Sequence, residues 1–191
     1  MSIQIRKAYR KKAKLLLGIA GPSGSGKTYS AIKLARGLVG PDAKILLIDT
    51  ENGSGDLYSH LTAYDVCTIE APFEPKKYIE AIKAGEEGGY DVVVLDSLSH
   101  AWAAEGGVLD FKDKIDQRGG NSFTNWREAT KLHNALVDAM LQSKCHVIAT
   151  VRSKTDYAQD KNENGKTVIR KVGLAPVQRD GMEYEFTSFF D

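Results

Sequence analysis

The chain has 191 residues, of which 42% are apolar and 27% charged, with a net charge of +1. That length matches one domain by the prior of roughly 100 to 200 residues each, and the composition is that of a folded globular chain, which excludes wholesale disorder. The near-zero net charge excludes attraction of nucleic acid by the whole surface, so any such binding has to come from local basic patches.

The first fourteen residues carry Arg6, Lys7, Arg10, Lys11, Lys12 and Lys14, a basic N-terminal arm over residues 1–14. It suits a phosphate backbone or, with Ile3 and Ile5 alternating, an added strand on another subunit. No signal-type apolar stretch follows, and no apolar run approaches about 18 residues. A cytoplasmic protein without membrane contact is expected.

Leu15–Ala20 reads as a strand entering a Gly-rich loop, and Thr28–Val39 as the next helix, stopped by Gly40-Pro41. Lys44–Asp49 reads as a second strand and Ala63–Ile69 as a short third. Pro75–Glu87 follows as a helix with proline at its start and Gly88-Gly89 at its end. Asp91–Asp96 is rich in Val and Leu and too short for a helix, so it reads as a buried parallel strand ending in a carboxylate. From Ser122 to Ser143, Phe123, Trp126, Thr130, His133, Val137 and Met140 recur at threes and fours, which predicts one helix burying that stripe, His133 included. Cys145–Val151 reads as a strand. Asn164-Gly165 beyond it is the tip of a two-residue hairpin turn in a basic hairpin or loop over residues 152–173. Cys67 and Cys145 fall in strand-like runs and read as small buried hydrophobes. Strands alternating with helices predict one α/β domain over residues 1–191, a mainly parallel twisted sheet flanked by helices, with a late β-hairpin.

Gly21-Pro22-Ser23-Gly24-Ser25-Gly26-Lys27-Thr28 matches G-x-x-x-x-G-K-[ST] at every fixed position, between a strand and a helix as the motif requires. Glycines let the backbone N–H groups curl around phosphate oxygens, and the helix N-terminus adds partial positive charge there. Lys27 reaches the β and γ phosphates as a point charge, and the Thr28 hydroxyl coordinates Mg2+. With the adjoining Tyr29, these residues form the expected ATP contacts. Asp96, closing Val92-Val93-Val94-Leu95, places a second oxygen by the metal. Asp49 and Glu51 close the neighbouring strand, and Glu51 is the acid best placed by topology to orient or deprotonate the attacking water. These features predict an Mg-dependent ATPase.

The P-loop, Ile48-Asp49-Thr50-Glu51 and Val92-Val93-Val94-Leu95-Asp96-Ser97 together resemble the core of RecA-like recombination ATPases. The resemblance is closer to the short phage-encoded RecA-like proteins, the phage nucleotide-binding proteins linked to single-strand annealing and recombination. Four stretches carry it: Gly21–Thr28, Asp91–Trp102, His146–Tyr157 with Val151-Arg152-Ser153-Lys154, and Gly173–Phe186 with Gln178-Arg179-Asp180-Gly181. It implies a RecA-like P-loop NTPase domain in a host cytoplasm, self-associating into a ring or filament with the nucleotide between subunits. Glu51 falls where such proteins keep the water-activating glutamate, and Tyr58 where a tyrosine stacks on adenine. Two departures stand out. Thr150 or its neighbours lie where RecA has a γ-phosphate-sensing glutamine, and the sequence stops at Asp191, short of the relatives' further strands and trans-acting basic residue.

Arg152, Lys154, Lys161, Lys166, Arg170, Lys171 and Arg179 stud the late hairpin and its flanks, with Tyr157 available for base stacking. RecA-like proteins hold DNA with loops after these strands, so Arg152, Lys154, Lys166, Arg170 and Lys171 are the expected contacts to single-stranded DNA. The leading expectation is an ATP-dependent, single-strand-binding recombination or annealing ATPase. The alternatives are a nucleotide-switched DNA- or protein-binding module with little turnover, and a helicase- or motor-type ATPase.

Overall fold

The computed structural model describes residue 7 and residues 13–119, 121–161 and 167–191. In chain order the elements are β1 (Leu16–Gly21), α1 (Lys27–Val39), β2 (Ile45–Asp49), a 3-10 turn (Ser54–Tyr58), β3 (Asp65–Thr68), α2 (Pro75–Glu87) and β4 (Val92–Asp96). They continue with α3 (Leu98–Ala103), α4 (Val108–Gln117), α5 (Ser122–Leu141), β5 (His146–Lys161), β6 (Thr167–Pro176), a second 3-10 turn (Met182–Glu185) and β7 (Ser188–Phe190).

The strands run in the order β3-β2-β4-β5-β1-β7, and β6 pairs with β5 off this path. Every pairing along the main path is parallel, whereas β5 and β6 are antiparallel. Both faces are covered, which is why β2 (ILLID) and β4 (VVVLD) are buried at every position, acids included. One core lies under α2 and α5, with Tyr78, Ile82, Leu136, Val137 and Met140 against Val93, Leu95 and Val147. The other lies under α1, where Ala31, Ile32 and Ala35 meet Ile19, Leu47, Val94 and Ile148. Two of the three buried α1 residues are alanines, so the helix axis comes close to the sheet and holds the loop before it firmly in place.

Five local features differ from the sequence expectation. The buried side of α5 is Asn125, Ala129, His133, Leu136, Val137 and Met140, while Phe123 is 85% and Trp126 36% exposed. The first turns of α5 meet α4, whose Asp116 accepts a hydrogen bond from Asn125 Nδ2 at 2.8 Å, so a polar residue faces inward there. Residues 98–117, unassigned from sequence, fold as α3 and α4. β5 continues ten residues past Val151 because β6 supplies a second hydrogen-bonding edge from Ser153 onward. Cys145 is buried, but Cys67 is only half-buried, since β3 is the sheet's edge. The Asn164-Gly165 turn and most of the basic arm, Lys7, Lys14 and Ala13 apart, lie outside the described residues.

β7, also unassigned from sequence, lies parallel to β1. It fits because of Gly18: a Cβ there would stand 2.3 Å from Phe189 Cδ2. No helix among the described residues is long and apolar enough to cross a membrane.

Candidate functional site

The carboxyl ends of β1, β2, β4 and β5 meet at one edge of the sheet, the usual place for a ligand in an open α/β fold. β1 runs straight into the loop of residues 21–26. Gly24 and Gly26 adopt left-handed φ values of 78° and 83°, with open space where a Cβ would be, and the loop is braced by a Ser25 N–H to Pro22 C=O bond of 3.3 Å. Lys27 opens α1, and its Nζ donates to the Pro22 carbonyl at 2.8 Å. Burial lowers the Lys27 pKa below its ordinary value, against the carboxylates of Asp96 and Glu51, which raise it.

Register explains how the acids converge. β2 and β4 are paired so that Asp49 stands beside Asp96, and both carboxylates are buried. They do different things. Asp96 accepts from the Thr28 hydroxyl at 2.6 Å through Oδ2 and from the Thr150 hydroxyl at 2.5 Å through Oδ1. Burial raises its pKa, opposed by those two hydroxyls. Asp49 instead accepts the backbone N–H of Glu51 at 2.6 Å and of Gly55 at 3.0 Å, so both its oxygens are spent on holding the turn after β2. That turn sets Glu51 and Tyr58 in position.

Glu51, Ser54, Tyr58, Asp96 and Arg152 face the loop across an open pocket of about 260 Å³. Tyr58 packs edge-on to Tyr29, ring centroids 6.3 Å apart, and Tyr29 itself is 44% exposed outside the pocket lining. Glu51 is gripped by Arg152, whose Nε donates to Oε1 at 2.9 Å while a terminal guanidinium nitrogen bonds Oε2. His100 stands 3.9 Å from the same carboxylate, and its Nδ1 meets the Thr50 hydroxyl at 2.8 Å. Burial and the Arg152 charge lower the His100 pKa, so the imidazole is held toward its neutral form.

The residues present fit a magnesium nucleotide. A glycine cradle with space at its positive-φ positions leaves room for phosphate oxygens, and the Thr28 hydroxyl touching the Asp96 carboxylate is a hard oxygen pair of the kind Mg2+ takes.

Of the expected site residues, the structure brings together the whole loop, Glu51, Tyr58 and Asp96. Arg152, expected to contact DNA, lines the nucleotide pocket instead. Lys154 is exposed on β5, and Arg170 and Lys171 are exposed on β6, opposite Ala158 and Tyr157. Lys166 lies outside the described residues. Sequence reasoning missed His100 and the clamp of Thr150 on Asp96. His100 lies four residues past Asp96 on the helix that follows at once, and that spacing is the signal by which it is found.

No curated protein matches the chain. A family model described as an AAA domain, AAA_24, matches residues 13–191, taking in the loop, both acidic strand ends, the ribbon of β5 and β6, and β7. With that match over nearly its whole length, and with the loop, Thr28 and Asp96 placed as a P-loop site needs them, the chain belongs to the AAA_24 family of AAA-type, ATP-binding P-loop NTPase domains.

Proposed function

We propose that the protein hydrolyses ATP with Mg2+, couples the nucleotide to single-stranded DNA, and serves recombination or strand annealing of the phage RecA-like kind as a ring or filament. The observation that carries this reading is the position of Arg152. It pairs with Glu51 in the pocket and, on the same strand, immediately precedes the ribbon that bears Lys154, Arg170 and Lys171.

The chain's own groups divide the work. Loop N–H groups and Lys27 bind the phosphates. Thr28 and Asp96 would hold Mg2+, whose contribution when bound is to neutralise charge on the phosphate oxygens. Tyr58 offers its ring to the base. Glu51, once released by Arg152, orients the attacking water and accepts its proton. The strand β5 then carries the state of the pocket to the ribbon, because moving Arg152 moves the first residues of that ribbon.

A second reading rests on the same contact: while Arg152 grips Glu51 the base is occupied, which suits a nucleotide-switched binding module with little turnover. ATP turnover with and without oligo-dT, at low and high salt, tests both. Turnover stimulated by DNA and weakened by salt supports the first reading. Nucleotide-dependent DNA binding without turnover supports the second, and neither activity removes both.

A further inference from the structure

Trp102 and Trp126 are the chain's only tryptophans, and they come together on the surface. Their rings lie 6.4 Å apart, inclined by 26°. Trp126 lies on the α5 stripe expected to be buried, yet it is 36% exposed. The two rings form one wall of a shallow, open groove of about 450 Å³, completed by Lys154, Gln178, Arg179 and Asp180. Lys154 lies on β5 two residues beyond Arg152, and Arg179 lies just after β6, so the groove runs along the root of the ribbon.

The wall is held in place from several sides. Trp102 and His133 meet in a T-shaped contact with ring centroids 5.6 Å apart, and Lys112 Nζ, which is paired with Asp116, lies over the Trp126 ring 5.4 Å from its centre. Gln178 donates from Nε2 to the Leu98 carbonyl at 2.9 Å and accepts the Arg179 N–H at 3.3 Å, which fixes the floor. Within the lining two cations face one anion, so the groove is net positive beside an aromatic face.

A rigid ring beside cations matches one chemistry well: an unpaired base, which offers a π face, flanked by phosphates. Duplex DNA offers the phosphates, but its bases are already stacked on each other. We propose that this groove is a binding site for single-stranded DNA, in which a base stacks on Trp126 and the adjoining phosphates pair with Lys154 and Arg179. The proposal rests on the DNA-coupled reading above and gives the strand a place beside the Arg152–Glu51 pair.

Because both tryptophans sit in the groove, their emission reports on it directly. Oligo-dT should quench tryptophan emission with the same midpoint that anisotropy of labelled oligo-dT gives. Trp126→Ala should weaken binding by about 5- to 160-fold, the usual range for one stacked base, and Trp126→Phe should restore most of it. Lys154→Ala should lower the salt slope of binding by about 0.7. ATP-induced thermal stabilisation, unchanged in each variant, shows that the fold and the nucleotide site are intact. Anisotropy that shows binding while emission stays constant and Trp126→Ala binds like wild type would overturn the groove and leave the DNA-coupled reading standing. Equal affinity for duplex and single strand, or quenching by poly-glutamate but not by oligo-dT, would also overturn it. No DNA binding in any nucleotide state removes both proposals together.

Discussion

Arg152 reaches across 101 residues of sequence to hold both carboxylate oxygens of Glu51, with Nε 2.9 Å from Oε1. The contact joins the acid proposed to activate water to the strand that leaves the pocket as the ribbon. Glu51 is therefore restrained by a residue that pairs with Gly21 on one side and whose carbonyl accepts the N–H of Val177, just past β6, at 2.6 Å.

Arg152→Ala should raise basal ATP turnover several-fold and abolish further stimulation by single-stranded DNA, because Glu51 no longer waits for release. Steady-state phosphate release with and without oligo-dT measures this. A rate at least tenfold below wild type would mean that Arg152 serves the reaction directly rather than restraining Glu51.

Glu51→Gln should keep ATP affinity and lose turnover by about 100- to 10,000-fold, the typical contribution of a positioned base. Turnover within about twofold of wild type would assign the water to another group. Asp49 is not that group in this geometry, since its oxygens are taken by the Glu51 and Gly55 amides.

Among the described residues Lys27 Nζ hydrogen-bonds to the Pro22 carbonyl alone, so Lys27→Ala should fold normally and fail to bind ATP. Ligand at 100 times its dissociation constant stabilises a protein by about 2.7 kcal/mol. Wild type should show that gain in a denaturation experiment with Mg-ATP, and Lys27→Ala should show none.

Gly55 lies where a Cβ would stand 2.3 Å from Leu47 Cδ2 in a fully buried core, so Gly55→Ala should cost about 1–3 kcal/mol by overpacking. Asp49→Ala should cost about 1.5–3 kcal/mol, as it strips a charged acceptor from two backbone amides. Urea midpoints measure both. Each variant should also weaken turnover, because the turn they disturb carries Glu51.

Acid should destabilise the fold. Burial lowers the pKa of His133 and of His146 below the ordinary 6.5. His146 Nδ1 accepts the Leu15 N–H at 2.9 Å, a bond that protonation breaks. The unfolded chain therefore binds more protons than the native one, and stability falls as pH drops from 6.5 through the lowered native values. Urea midpoints on either side of pH 6.5 should show the loss. His133→Leu, in an apolar surround, should reduce it.

Much of the site was legible from local sequence because its chemistry is local. Gly21–Thr28 needs only eight consecutive residues to make its cradle, and the apolar runs before Asp49 and Asp96 announce two buried strands that end in acids. The helix of α2 came out residue for residue, since proline and two glycines punctuate it. What the sequence determined by itself was thus the set of parts: an α/β chain, a phosphate loop, a metal-side acid and a candidate base.

The tertiary structure decided which parts meet. The parallel register of β2 and β4 sets Asp49 beside Asp96, yet backbone amides claim one carboxylate and side-chain hydroxyls the other. Arg152 belonged by sequence to a basic hairpin, and only the pairing of β5 between β4 and β1 brings it to Glu51. Trp126 belonged by helical period to the core, and only the packing of α5 on α4 leaves it at the surface beside Trp102. Periodicity shows that a residue has a face, but what covers that face depends on residues far away in the chain, and those contacts exist only once the sheet has assembled.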